Sequence, residues 1–575
     1  MIFFNTYISE SVFCFFKNKK NILVSVEDAN KYLQEQCGIK AFFENDSELL
    51  QLTTKLNEQF TNEVCESDAE YGDFQTNQNL TFQIAENLKN SGVSPKIVIE
   101  PTCGKGHFII AALDAFDDIE AIYGIEIQKK HIWQSKFNIL DYFLLNPNRK
   151  IPNIYIIHSS IFDFDYLSIK KSIAKKELLI IGNPPWVTNS ALGMMDSKNL
   201  PQKSNFKQHK GLDAMTGKGN FDIAEYITID LLRNFGDCTG NMAFLVKNSV
   251  IKNIVHDIPK LKLPIANMKK QNIDSKKEFD VSVDAALFIC ELNKNTEYSC
   301  QESDFYSSEI KCDFGWKDNK FMSVLSLNNE VDGISPFVWR QGIKHDCSKV
   351  MEIESEGNIF CNKLGERFTL EDNLIYPLLK SSDLKTTVAK LTRKMTIVTQ
   401  KFIGQNTSYI KEFPQTYKYL NDHIDLFRMR KSSIYKGKCD FSIFGVGEYS
   451  FKPYKIAISG LYKTFHFCLV KPQNGKPVML DDTCYFIGFD TLEQAEYVWE
   501  LLNSDLVENL LKSITFKDAK RMITKDILMR IDCLLKEVLV DLDFCVSYNF
   551  VAEFVSFLEY VNNRAFFIFV TFALH

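Results

Sequence analysis

The sequence predicts an α/β fold, a parallel sheet covered on both faces by helices, followed by a region of mixed α+β character. Three observations point there. Between Pro95 and Cys290 short apolar runs alternate with helix-like stretches. Those runs are apolar throughout instead of alternating, as strands buried on both faces must be. After Cys300 the pattern gives way to short aromatic strands, many turns and interleaved Tyr and Lys, as in FSIFGVGEYSFKPYKIAISGLYKTFHFCLVKP.

Each element of the first region follows from its own stretch. KIVIE (96–100) is a short strand, and GKGHFIIAALDAF starts a helix with apolar residues at helical spacing. AIYGIEI is a second strand, KKHIWQSKFNILDYFLL a helix, NIYIIH a third strand and LLIIG a fourth. AEYITIDLLRNF is an amphipathic helix, MAFLV a fifth strand and VSVDAALFIC a late one. The segment Glu302 to Leu327 is mixed and polar, which places it with the second region. Ligands of such sheets sit at the carboxyl ends of the strands, so the turns after the strands are where chemistry belongs.

Composition narrows the class. The 575 residues are too many for one ordinary core, and 45% hydrophobic with 24% charged residues describes a globular chain, not a disordered one. The 15 cysteines are scattered, with no CxxC pair and no Cys/His cluster at zinc-ligand spacing, so free thiols in a reducing cytoplasm and no metal site are expected. MIFFNTYISESVFCFFKNKK has no basic residues ahead of its apolar ones, and Phe550 to His575 is interrupted by Glu553, Glu559 and Arg564, so neither a signal peptide nor a membrane span is expected. The net charge of -6 hides a basic stretch, Ser381 to Leu480, with 17 Lys and Arg against 6 Asp and Glu. That stretch suits a polyanion, although lysines on ordinary solvated surface account for the charge equally well.

The turns carry the chemistry. EPTCGKGHF (100–108) follows the first strand, and Gly104 and Gly106 allow a tight turn and close approach to a ligand. The turn departs from the three-glycine dinucleotide fingerprint, and Glu100 at the strand end suits a cationic or N–H-donating ligand group. Glu126 ends the second strand, where an acid grips ribose hydroxyls. Asp163 and Phe164 follow the third, a carboxylate for an exocyclic amine and an aromatic face for a purine. Taken singly, Glu126 or Asp163 reads as a surface acid or a helix cap. Three acids at consecutive strand ends form an ordered set.

The fourth turn, LLIIGNPPWVTNS, runs a buried strand into Asn183, Pro184, Pro185 and Trp186. The Asn183 amide oxygen and the Pro184 carbonyl are two acceptors in a backbone stiffened by Pro184 and Pro185, and Trp186 adds a flat face. An exocyclic NH2 on a planar ring needs that set: two acceptors and a stacking platform. Cys103 has no histidine implied as its base, and His107 and His158 have no ligand partners at metal spacing. Asp481, Asp482 and Cys484 read as a turn before the strand CYFIGF.

EPTCGKGHF resembles the S-adenosylmethionine motif, and NPPW the catalytic motif, of amino-group DNA methyltransferases from bacterial restriction-modification systems. The motif order, with a recognition domain at the C-terminus, is similar to that of the gamma class. YGDFQTNQNLTFQIAENL (71–88) resembles that class's cofactor-contacting stretch ahead of the first strand, with Phe74 and Thr76 in the expected places and Asn77 where proline is common. The resemblance covers about Tyr71 to Lys536, including RKMTIVTQKFIGQNTSYI and PVMLDDTCYF.

The resemblance implies a Rossmann-like methyltransferase sheet with a mixed α+β target-recognition domain, and transfer of a methyl group from S-adenosylmethionine to adenine N6 in duplex DNA by base flipping. Phe74, Thr76, Glu100, Pro101, Cys103, Gly104, Gly106, Glu126, Ile127, Asp163 and Phe164 would hold the donor. Asn183, Pro184, Pro185 and Trp186 would be catalytic, and Trp186 and Phe279 would sandwich the base. The expected division is 1–70 as a mostly helical lead-in, 71–300 as the catalytic domain, 301–536 as the recognition domain and 537–575 as a tail. Partners would be double-stranded DNA and a separate cognate restriction endonuclease, in the cytoplasm and away from membranes. Cytosine N4, a protein glutamine amide, or a non-catalytic DNA-binding role are the competing readings.

Overall fold

The computed structural model describes residues 2–3, 6–57, 75–173, 175–188, 222–327, 330–516 and 521–532. The chain forms two compact units, Met1–Phe321 and Met322–His575.

The first unit is built on a ten-stranded sheet. Its strands are β1 (Ile97–Glu100), β2 (Ala121–Glu126), β3 (Asn153–His158), β4 (Leu178–Gly182), β5 (Gly240–Lys247), β6 (Ile265–Ile273), β7 (Ala285–Leu292), β8 (Ser299–Asp304), β9 (Ile310–Lys317) and β10 (Lys320–Met322). They lie in the order β10-β9-β8-β6-β7-β5-β4-β1-β2-β3. From β3 to β5 every pair is parallel, with Ile97 level with both Ala121 and Leu178. The order reverses at β1 and β4, which opens a crevice beyond their carboxyl ends, as in doubly wound nucleotide-binding sheets. β1, β2 and β4 are buried at every position, which is why their sequences are apolar without alternation.

Two expectations are corrected. The sheet is mixed, because β7 runs antiparallel to both β5 and β6. Only the five-residue helix Ser275–Phe279 lies between β6 and β7, too little chain for a parallel crossover. The segment after Cys300 does not open the second region. β8 pairs with β6 in parallel and β9 returns antiparallel to β8, so the sheet continues to Met322 and the unit boundary falls after Phe321. β9 is exposed or half-exposed over most of its length, and such one-sided edge strands read as polar sequence.

Besides Ser275–Phe279, the helices among the described residues of the first unit are α1 (Glu10–Asn18), α2 (Val26–Cys37), α3 (Asp46–Lys55), α4 (Gln78–Asn90), α5 (His107–Ala115), α6 (Lys129–Leu145), α7 (Tyr166–Ile173), α8 (Ile223–Phe235) and α9 (Asn248–Leu261). The described lead-in opens with a short antiparallel pairing of Ile2–Phe3 with Thr6–Tyr7, continues mainly as helices, and is part of this unit's packing. Phe16 and Phe42 meet Phe137 of α6, and Phe42 and Phe43 meet Trp133. The buried Lys136 of α6 donates to the Phe42 carbonyl at 2.8 Å. Beyond α2 the chain bonds to the outer edge of β3, where Ile154 donates to Gly38 and accepts from Lys40. An open sheet edge is thereby covered.

The second unit is mixed α+β. A four-stranded sheet (Arg340–Gln341, Cys484–Phe489, Tyr454–Ser459, Cys468–Val470) carries the helices Leu492–Leu502 and Asp505–Ile514 over a core that includes Trp339, Ile456, Ile487 and Leu510. A six-stranded sheet from Glu352 to Leu480 holds a second core around Ile353, Ile375, Ile397 and Leu420. Asp481 closes the turn before Cys484–Phe489, its Oδ1 accepting from the Thr483 N–H at 3.1 Å. The expected tail, 537–575, lies outside the described residues. No helix among the described residues is long and apolar enough to cross a membrane, and none of their His, Cys, Asp and Glu groups could hold a metal.

Candidate active site

The turns after β1, β2 and β4 converge because those strands are neighbours in parallel register. After β1 the chain passes through Pro101 and the buried Cys103 into Gly104 (φ +50°) and Gly106 (φ +77°), then enters α5. Both glycines occupy the left-handed region that side chains disfavour. A Cβ at Gly106 would lie 3.1 Å from the Ser135 Cβ on α6. Gly106→Ala should therefore destabilise the first unit by about 1–2 kcal/mol, the cost of left-handed backbone for a residue with a side chain, seen as a lower urea midpoint.

Two buried carboxylates face this turn. Glu126 Oε2 accepts from the Gly104 N–H at 2.9 Å and its Oε1 from the Gln128 N–H at 2.7 Å. The acid expected for a ribose thus also holds the glycine turn in shape, and a carboxylate oxygen has lone pairs for a second donor. Glu100 is 3% exposed, and its Oε2 has no hydrogen-bond partner among the described residues. Burial pushes its carboxyl well above the usual range; the Ile109 N–H offsets part of this, and the nearby Glu126 adds to it. Burial, Glu100 and Glu126 push the Cys103 thiol up as well, which rules it out as a thiolate nucleophile.

The stretch ahead of β1 closes the site from the other side. Phe74 lies outside the described residues, but Thr76 is buried and bridges two motifs. Its Oγ1 accepts from Asn183 Nδ2 at 3.2 Å, and its carbonyl lies 2.7 Å from His107 Nδ1. Burial lowers the His107 pKa, so the ring is neutral and its Nδ1–H donates. Gln75 Oε1 accepts from the Lys105 N–H at 3.3 Å. Asn77 caps α4, its side chain accepting from the Asn79 N–H, a role suited to asparagine where the related motif has proline. Sequence reasoning missed Gln75 and the bonding role of His107, since nothing local in the chain marks either.

Further along the crevice, Ile127 is 42% exposed just past Glu126, a large apolar side chain turned to solvent. Asp163 is exposed and Phe164 half-buried after β3, with Phe164 edge-on to Tyr166. The structure sets Asp163 in a turn closed by its own N–H to the Ser160 carbonyl.

In the fourth turn Pro184 and Trp186 are buried, and Asn183 and Pro185 half-buried. The Asn183 bond to Thr76 assigns its Nδ2 as donor, which turns Oδ1 the other way as the acceptor end. Thr102 Oγ1 donates to the Asn183 carbonyl at 3.4 Å. The Trp186 indole N–H donates to the Leu245 carbonyl at 3.2 Å and fixes the ring against β5. Val187 accepts from the Ile223 N–H at the start of α8, whose cap, Asp222, pairs with Lys247 at 2.5 Å. Phe279 meets Trp186 edge to face, centroids 5.0 Å apart at 64°. A base between them needs about 7 Å, twice the roughly 3.4 Å stacking distance. The two rings are together but closed on each other.

A reversed-order α/β sheet with a glycine turn, two buried acids and an Asn-Pro-Pro-Trp strand end defines a Rossmann-like methyltransferase. The N-6 DNA methylase family model matches residues 51–254. The type II methyltransferase M.NspV of Nostoc sp. is 41% identical over 471 residues, covering 80% of this chain and 96% of that protein. The chain belongs to this family and is an adenine DNA methyltransferase of the restriction-modification kind. Likeness to solved structures is more remote. The type IIL restriction-modification enzyme MmeI in complex with DNA aligns with 87% of this chain and 70% of its own at 12% identity and a TM-score of 0.49. The type IIG restriction endonuclease BpuSI aligns with 92% and 68% at 12% identity and a TM-score of 0.34.

Proposed function

We propose that this chain is a gamma-class enzyme that flips adenine out of duplex DNA into the turn at Asn183 and methylates its N6 from S-adenosylmethionine. The observation that carries this is the bond from Asn183 Nδ2 to Thr76 Oγ1, which ties the acceptor turn to the stretch ahead of β1. The motif order, with 71–88 and 100–108 ahead of the catalytic turn and the basic stretch after it, supports the gamma assignment.

The residues fit the donor. Glu100, buried with an unpartnered oxygen, suits its ammonium; Glu126 its ribose; Ile127, Asp163 and Phe164 its adenine; Pro101, Cys103, Gly104 and Gly106 shape the turn beneath it, with Thr76 on the far side. Bound there, the sulfonium supplies an already activated methyl group. Asn183 Oδ1 and the Pro184 carbonyl then accept the two N–H bonds of the target amine and aim its lone pair for in-line attack. Pro185 stiffens that frame. No strong base is needed, since the amine's proton becomes acidic only once the methyl is attached. Trp186 and Phe279 part to take the base between them, and stacking offsets the few kcal/mol that extrusion costs.

The enzyme would act in the cytoplasm, protecting sites that a separate cognate endonuclease cuts when they are unmethylated. Incubation with labelled donor and unmethylated plasmid DNA, followed by digestion to nucleosides, should place the label in N6-methyladenine. Label in N4-methylcytosine would overturn the acceptor, and label only in added protein would overturn the DNA substrate.

A further inference from the structure

The second unit carries one feature that its own folding does not require. At Phe402 and Ile403, on a loop within the basic stretch, two adjacent apolar side chains are 57% and 53% exposed. Single exposed apolar residues are ordinary, but these two sit side by side on a backbone that is held rigidly. Gln400, 1% exposed, donates from Nε2 to the Gln405 carbonyl, and its Oε1 accepts from the Ile443 N–H at 2.8 Å. The Gln405 side chain returns to accept from the Lys401 N–H at 2.6 Å, and Gly404 (φ +87°) makes the turn. Thr399 Oγ1 donates to the Phe441 carbonyl at 2.6 Å and fixes the root. Two glutamines are thus spent on holding a short tip whose apolar end points into water. Such preorganisation gains nothing in the free protein and lowers the ordering cost when something covers the tip.

The surroundings identify what covers it. Lys401 is exposed on the loop itself. The stretch that begins at Arg430 and ends beside Thr399 and Gln400 presents Lys431, Lys436 and Lys438, all exposed and in no ion pair among the described residues. That stretch is also held: Arg430 lies 3.7 Å over the Tyr435 ring and donates to the Ser442 carbonyl at 2.7 Å. An apolar tip with an exposed lysine beside it, on a loop whose root is bonded to a stretch carrying three more unpaired lysines, suits duplex DNA, with phosphates for the lysines and a base step for the apolar pair.

We propose that the loop Lys401–Gln405 is a DNA wedge. Phe402 and Ile403 enter the duplex and unstack a base step, Lys401, Lys431, Lys436 and Lys438 hold the flanking phosphates, and the unstacking removes part of the cost of extruding the target adenine. The inference rests on the reading of this chain as a base-flipping methyltransferase and gives a role to two residues of the stretch RKMTIVTQKFIGQNTSYI that the active-site geometry does not use.

The test uses the full chain and a duplex whose site is first mapped from N6-methyladenine in plasmid methylated by the wild type. The double variant Phe402→Ala with Ile403→Ala should keep its melting temperature and lose roughly tenfold or more in kcat/KM, the scale of one lost stacking contact. Phe402→Leu, which keeps an apolar wedge, should retain most activity. A mismatch at the target pair, already unstacked, should restore the double variant towards wild type, which a role in phosphate contact or in folding would not produce. Wild-type kcat/KM in the double variant, or an equal loss on paired and mismatched duplexes, would overturn the wedge. A wild type that puts no label into DNA adenine would instead overturn the function on which it rests.

Discussion

Asn183→Ala is expected to bind donor nearly as the wild type does and to lose roughly two to three orders of magnitude in kcat, the range seen when one preorganised polar contact to a developing charge is removed. The geometry separates the two effects. Asn183 stands after β4, whereas Glu100 and Glu126, the acids proposed to face the donor, end β1 and β2. Its side-chain amide meets the stretch ahead of β1 through the 3.2 Å bond to Thr76 Oγ1. Removing the amide deletes one of two acceptors for the amine and leaves the Pro184 carbonyl, so base binding weakens less than the rate falls. Asn183→Asp keeps an acceptor and should recover part of the loss. Equal falls in donor affinity and kcat for the alanine variant, by calorimetry and single-turnover kinetics, would show that Asn183 serves the donor and not the amine.

What could be read in advance, and what could not, follows from how each feature is written in the chain. Glu100, Glu126 and Asn183 were legible because parallel strands leave a local signature, an apolar run with a polar residue directly after it, and because such sheets gather their strand ends on one side. The Asn183–Thr76 and His107–Thr76 contacts were not, since the partners lie far apart in sequence and no periodicity links them. The hairpin from Ile310 to Met322 was assigned to the wrong region for a related reason. A strand at the open end of a sheet alternates and carries charge, and in composition it does not differ from the start of a new domain. Phe279 was placed beside Trp186, but the 5.0 Å closure of the pair depends on packing that no motif encodes. The lead-in was legible as helices, whereas its place against α6 and the edge of β3 depends on contacts such as Phe42–Trp133 and Ile154–Gly38 that only the folded chain brings together.

Glu100→Gln should raise the stability of the donor-free protein at neutral pH and weaken donor binding about ten- to a hundredfold, the loss expected when a charge-assisted bond becomes a neutral one. Both effects have one source. The Glu100 carboxyl is held above its ordinary value of 4.5 mainly by burial. A folded-state pKa raised above the unfolded one means the unfolded chain ionises first. Whatever stability the protonated form gives is fully present below the unfolded pKa and is lost as pH rises through the folded one. The isosteric amide escapes that loss, so the gap in melting temperature between variant and wild type should widen as pH climbs above the carboxylate range and close again in acid. Donor affinity should run the opposite way. An ammonium needs the ionised carboxylate, so wild-type binding should release a proton and strengthen with pH until Glu100 is ionised in the free protein, then level off. The glutamine variant should lack that slope, which titration calorimetry in buffers of different ionisation enthalpy reads directly. A variant that is less stable than wild type at neutral pH, or that keeps the slope, would move the donor's cationic group to another partner. The buried acid at the end of β1 is then a strain that the fold carries until the donor's positive charge removes it, the trade between stability and function expected where a binding site is preorganised for a charge it does not yet hold.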